Sequence, residues 1–360
     1  MLKKAILGFA LAFMLIVVSS CGDNKNNGQT YSDTDATPTP ATVSESPVTP
    51  EPGPTPAETP KPTVDDGFIM PNSDIRPVAV MIDNQGDKVL PQGGISQAQI
   101  VYEILTEYNI TRYLAFFWDT MPDMIGPVRS SRHYFLDFSM EYDAIYTHFG
   151  WSEFAKADIS KLKINNINGL VNGDAFRDIT KDPGNWQDSY TSKDQITKAI
   201  SGLGYATKPV KAFPFKYNET MVIPVDGQTA EDIFIKFSTS GNSTCGFLYD
   251  KENGLYKRIR MGQPQIERNT GEQVLARNII IQEMAAVKIE GDQYGSINLK
   301  DIGSGGGWFI TGGKAVKIKW SKSKRDARTS YTTESGDPVN LNRGQTWIEV
   351  VPTLTLVKIE

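Results

Sequence analysis

"ISQAQIVYEILTEYNITRYLAFFWD", Ile95 to Asp119, decides what kind of sheet this chain builds. Its second half, "TRYLAFFWD", is apolar, rich in aromatic residues, and reads as a strand. The first half, "ISQAQIVYEILTEY", reads as a helix: Ser96 stands at an N-cap position, and Ile100, Ile104 and Leu105 fall on one helical face. Upstream, "RPVAVMIDN" is a short β-forming run ending in Asp83 and Asn84. The resulting reading is strand, helix, strand.

The alternation continues downstream. "GPVRSSRHYFLDFSMEY" predicts a helix with Pro127 in its first turn, "DAIYTHFGW" a strand, and "SEFAKADISKL" a helix capped by Ser152. Three strand-helix units in succession predict an α/β region over residues 68–226, with a mostly parallel sheet flanked by helices. From Gly227 to Glu360, alternating apolar and polar residues broken by Gly-, Asn- and Asp-rich turns predict a β-rich, antiparallel region. "GSGGGWFITGGK" lacks the Lys-Ser/Thr ending of a phosphate loop and leads into a strand pattern, so it reads as a β-turn.

The first residues carry a different message. Lys3 and Lys4 precede the apolar run "AILGFALAFMLIVV", which ends in "SSCG", the layout of a secretory signal. Val18-Ser19-Ser20-Cys21 has the form of a bacterial lipobox. Residues 1–20 are therefore expected to be a signal peptide, and Cys21 the acylated residue that tethers the chain to the outer face of the cytoplasmic membrane. Residues 21–67, dense in Pro and Thr and nearly free of apolar side chains, are expected to form a disordered stalk. Extended at about 3 Å per residue, it would hold the folded region on the order of 100 Å from the bilayer.

Composition excludes several classes. The net charge of −5 gives no footprint for nucleic acid. With Cys21 acylated, only Cys245 remains, which excludes an intrachain disulfide; in a turn-like context it reads as an inert thiol. Two histidines, His133 and His148, are too few for a zinc site of usual composition, and no motif for a nucleotide or a serine hydrolase is present. Neither a metal nor a cofactor is expected.

In α/β sheets ligands gather beyond the carboxyl ends of the strands, and that rule collects Asp83, Asn84, Asp119, His148, Gly150 and Ser152 at one edge. Arg129 and Arg132, with His133 adjoining, would lie three apart on the second helix. They would offer forked donors to a carboxylate or phosphate, or pair internally with Glu103, Glu107 or Asp137. Glu103 and Glu107 would share a helix face. One of them in an apolar wall would retain its proton and serve as a general acid, with Asp83, Asp119, Glu141 or Asp143 as the second carboxylate; the alternative is a solvated helix face or salt bridges to Arg112 and Arg129. His148 reads as a core residue or a base, and Ser152 as a helix cap. Phe117, Trp118, Trp151 and Trp186 suit either sugar stacking or the core.

Taken together, "RPVAVMIDN", the Ile95–Asp119 stretch, "IGPVRSSRHYFLD", "DAIYTHFGWS", "GGGWFITGGKAVKIKW" and "LNRGQTWIEVV" resemble the YerB-like lipoproteins of Gram-positive bacteria over nearly all of Arg76 to Pro352. The resemblance implies two adjoining regions of unknown function in a membrane-anchored envelope protein. One departure stands out: where relatives carry Pro-His-Asn, this chain has Pro183, Gly184 and Asn185. The expected function is to bind cell-wall glycan, anionic polymer or an envelope protein partner. The alternative is an enzyme that cleaves peptidoglycan glycan strands with a glutamate acid.

Overall fold

Ile100–Leu105 is a strand, β2, and not the middle of a helix. All six of its residues are buried, so both faces are covered and the apolar run carries no period of two. Such runs cannot be told from a buried helix by pattern. The computed structural model describes residues 67–180, 182, 185 and 187–360; the signal segment, Cys21, the stalk, Pro183, Gly184 and Trp186 lie outside the described residues.

β1 (Val78–Asp83) and β2 both run antiparallel to β3 (Thr111–Phe117). The β2–β3 turn holds Tyr108 and Asn109 at positive φ, near 59° each. β4 (Ile145–His148) runs parallel to β1, and β5 (Asn166–Asn168) parallel to β4. On its other side β2 pairs in parallel with Thr346–Val351, which pairs in parallel with Asn278–Glu283. Gly303–Thr311, Lys314–Lys322 and Ser330–Thr333 follow in antiparallel order. One eleven-stranded sheet results, so the expectation of a mostly parallel sheet is corrected to a mixed one, with strands from both sides of residue 226.

Among the described residues three α-helices accompany it: α1 (His133–Glu141), α2 (Glu153–Leu162) and α3 (Lys193–Gly202). Ser152 caps α2 as expected, its side chain accepting from the Ala155 amide at 3.2 Å. Ser96 caps nothing; its amide donates to Glu267 Oε2. A second, six-stranded sheet is built mainly on Asp232–Lys236, Thr244–Asp250 and Leu255–Arg260. It packs on the large sheet through Trp347, whose ring centroid lies 5.4 Å from Tyr113 and 6.3 Å from Phe247. Cys245 sits buried within a strand of this sheet rather than in a turn. The glycine-rich segment is a strand, Gly303–Thr311, and its turn falls at Gly312 and Gly313.

α1 begins at His133, not at Pro127. The residues before it form an extended ribbon because the sheet takes their backbone groups. β1 and β4 pair only as far as Val80 and Thr147. Beyond that the ribbon lies between them: Asp83 N donates to Pro127 O (2.8 Å), Arg129 N to Met81 O (2.9 Å), Phe149 N to Arg129 O (3.0 Å) and Ser131 N to Gly150 O (2.9 Å). The crevice expected at the strand ends is therefore filled by the chain itself.

Candidate anion-binding site

Within this buried ribbon Arg129, Ser130 and Arg132 are the residues partly open to solvent. The arginine side chains are 22% and 14% exposed. Arg129 Nε lies 3.0 Å from Asp83 Oδ2, at the end of β1. Arg132 grips Glu107 with two donors, Nε to Oε2 at 2.8 Å and Nη2 to Oε1. Behind them Arg112 of β3 is buried; it donates to Ser130 O at 2.8 Å and, at 3.4 Å, to Glu107 Oε1. Its Nε has no hydrogen-bond partner among the described residues.

Three guanidinium groups thus share two carboxylates, which leaves a net positive charge. Burial, with Arg132 and Arg129 alongside, pulls Arg112 down to about 10 despite Glu107. Burial also lowers Arg129, opposed by Asp83. Glu107 shows the complement: burial alone would raise it, but the hydrogen bond from Arg132 and the charge of Arg112 bring it to about 2. It is an ionised counter-ion at neutral pH. Of the two readings of Glu107, a proton-retaining acid or an ion-pair partner, these contacts favour the ion pair.

Glu103 does not share a face with Glu107, since it lies in β2 and Glu107 in the turn that follows. Its Oε1 accepts from Thr111 Oγ1 (2.5 Å) and Asn84 Nδ2 (3.0 Å), and its Oε2 from Arg258 Nη2. Arg258 also donates to Glu349 Oε1 (2.8 Å) and Gln265 Oε1 (2.7 Å). Ligand atoms of Glu103, Cys245 and Glu349 lie within 4.8 Å of one another, but the guanidinium of Arg258 already supplies the cation there. Asn84 is fully used, accepting from Arg260 Nε (2.6 Å) and Gln92 Nε2 (3.0 Å). These groups tie the two sheets together and face no solvent.

His148 is buried with Nδ1 2.7 Å from Gly150 O and Nε2 3.2 Å from Asn166 Oδ1. Burial lowers it to about 4, so it is neutral and enclosed at neutral pH. Trp151 is half-buried and packs its ring 5.7 Å from His148. Asp119 is not at this edge: β3 runs antiparallel to β1, which puts its end at the opposite side, where Asp119 accepts from Gln99. Asp137 pairs with Arg325 rather than with the ribbon arginines. Arg112, Arg258, Glu349 and Gln187, which donates to Asp83 Oδ2 at 3.0 Å, were not singled out as site residues from sequence. For Arg112 and Glu349 the signal was a lone charge in an apolar strand, "TRYLAFF" and "TWIEVV".

Two family descriptions match the chain: the N-terminal domain of a protein of unknown function, DUF3048, over residues 68–206, and the DUF3048 C-terminal domain over residues 233–348. The chain belongs to the DUF3048 family. YerB of Bacillus subtilis (strain 168), which carries the name of a lipoprotein, is 34% identical over 288 residues, 79% of this chain and 83% of YerB. The crystal structure of the Bacillus subtilis YerB protein matches with a TM-score of 0.71 at 32% identity, covering 80% of this chain and 94% of that one. In DUF3048 terms the arginine site lies wholly in the N-terminal domain, while Arg258, the partner of Glu103, comes from the C-terminal one.

Proposed function

We propose that this chain is a lipid-anchored protein on the outer face of the cytoplasmic membrane that binds an anionic cell-wall polymer through Arg129 and Arg132. The lipobox at Cys21 supports the anchor, as does the lipoprotein name borne by YerB. No helix among the described residues is long and apolar enough to cross a membrane. The observation that carries the binding reading is the charge balance among the described residues: a third, buried guanidinium, Arg112, stands behind two partly open ones, and the three share the carboxylates of Asp83 and Glu107. An incoming phosphate or carboxylate would balance it through forked, charge-assisted bonds. The glutamate-acid alternative gains no support, because Glu107 is ionised and Glu103 is buried in salt bridges.

Cosedimentation with isolated Gram-positive walls tests the proposal. The full chain should pellet with intact walls, release as salt is raised, and lose most binding after the anionic polymers are stripped. The pair Arg129→Gln and Arg132→Gln should reduce retention about tenfold or more while the cooperative melt persists. Equal retention by stripped and intact walls would sink the reading.

A further inference from the structure

One turn into α1, Asp137 is buried on the seam between the two domains, and its Oδ1 takes both donors of Arg325, Nε at 2.8 Å and Nη2 at 2.7 Å. The same Nη2 lies 2.8 Å from Asp158 Oδ2 on α2. Asp301, just after the strand Ile297–Leu299, is 5% exposed, and its Oδ2 has no hydrogen-bond partner among the described residues. The Asp137 and Asp301 carboxyls stand within hydrogen-bonding reach of each other. Asp137 and Asp158 belong to the N-terminal domain, Asp301 and Arg325 to the C-terminal one.

Two ionised carboxylates face to face only repel, whereas a single proton between them turns one into a donor and gives the orphaned oxygen its partner. The neighbouring groups are engaged elsewhere. Lys322 Nζ donates to Glu141 Oε1 and to Asp137 O, Thr329 donates to both Glu141 oxygens, and His133 Nε2 is 3.1 Å from Asn298 Oδ1. Burial raises the Asp137 carboxyl to about 7, with Arg325 opposing and Asp301 adding. The segment that ends at Asp301 is also set apart: Ala286–Lys288 and Ile297–Leu299 pair only with each other, in a two-stranded sheet of their own. We propose that Asp137 and Asp301 form a proton-operated latch between the domains, in which one shared proton holds this hairpin against α1 and loss of that proton loosens it. Ile297 and Leu299 are buried, so the hairpin loosens without leaving the core.

The docked form keeps a proton that an opened carboxyl, ionising near 4, releases; between about pH 5 and 7 opening should therefore become up to about tenfold easier per pH unit, then level off. Hydrogen exchange of the full chain in detergent, corrected for the chemical exchange rate at each pH, tests this. Amides of residues 297–301 should lose at least about tenfold in protection from pH 5 to 7, relative to Asp301→Asn. In that variant a permanent amide donor replaces the shared proton, and Asp137→Asn should behave alike. His133, common to wild type and variants, cancels in the comparison. The same pH dependence in wild type and both variants would overturn the latch, as would an equal loss throughout α3, which would mark a global change. Recovery of wild-type protection at pH 7.5 on adding calcium, absent in Asp301→Asn, would overturn the proton in favour of a bound cation.

Discussion

Arg258 lies over the Trp347 ring with its guanidinium carbon 3.6 Å from the centroid, and it joins Glu103 to Glu349 in full burial. The two glutamates are register partners on adjacent parallel strands, so without the arginine two carboxyl groups would face each other in full burial with no cation between them. Arg258→Met is therefore expected to destabilise the chain by about 3–5 kcal/mol, read as a lower urea midpoint. Adding Glu103→Gln and Glu349→Gln should recover much of the loss; no recovery would show that packing on Trp347, and not charge, is what Arg258 supplies. A smaller effect belongs to Ser152→Ala, about 1 kcal/mol, for loss of the α2 cap. At this scale the sequence was half legible. Glu103 is picked out as a chemical candidate, though on a helix face shared with Glu107, and its partner lies 155 residues away where nothing local names it.

The ribbon of residues 126–132 is the element on which the site depends. Gly126 starts it at φ 147°, and a Cβ there would lie 2.9 Å from Val128 N and 3.0 Å from Tyr190 Cδ1. Neither neighbour can yield easily, one being backbone and the other a buried ring. Gly126→Ala should cost about 1–3 kcal/mol and displace Arg129 and Arg132 together. Wall binding should fall with it, even at temperatures where circular dichroism reports a folded chain. Normal binding by a destabilised variant would detach the ribbon from function. Sequence patterning misread this element as a helix because Pro127 and the downstream periodicity fit a first turn. What overrode them is the set of donors and acceptors offered by the splayed ends of β1 and β4.

For the molecule as a whole, buried ionisable groups predict how stability varies with pH. Burial raises the Asp137 carboxyl, with Arg325 opposing and Asp301 adding, and likewise raises Glu349, where Arg258 opposes and Glu103 adds. Both keep protons in the folded chain that the unfolded chain loses above about pH 4, so their contribution falls as pH rises. His148 acts the other way. Held at about 4 by burial, it stays neutral while the unfolded chain takes up a proton, so stability falls as pH drops from 6.5 toward 4. Glu107, held at about 2, stabilises above its usual value of 4.5 and loses that contribution as pH falls through 2. Three raised carboxyls, Glu141 included, outweigh two lowered imidazoles, His133 included, and the melting temperature should be higher at mildly acidic pH than at pH 8. Asp137→Asn should flatten the alkaline side; an unchanged slope would remove Asp137 from the explanation.

By itself the sequence determined the β-rich character of the half after residue 226, the strands at Val78–Asp83, Thr111–Phe117 and Ile145–His148, and the capped helix α2. These are local properties, set by side-chain chemistry within a few residues. Only the tertiary structure decided that β2 is a strand, that its neighbours come from both ends of the chain, and that the ribbon lies extended between β1 and β4. Burial on both faces erases the period that tells strand from helix, and hydrogen-bond partners far apart in sequence choose the outcome.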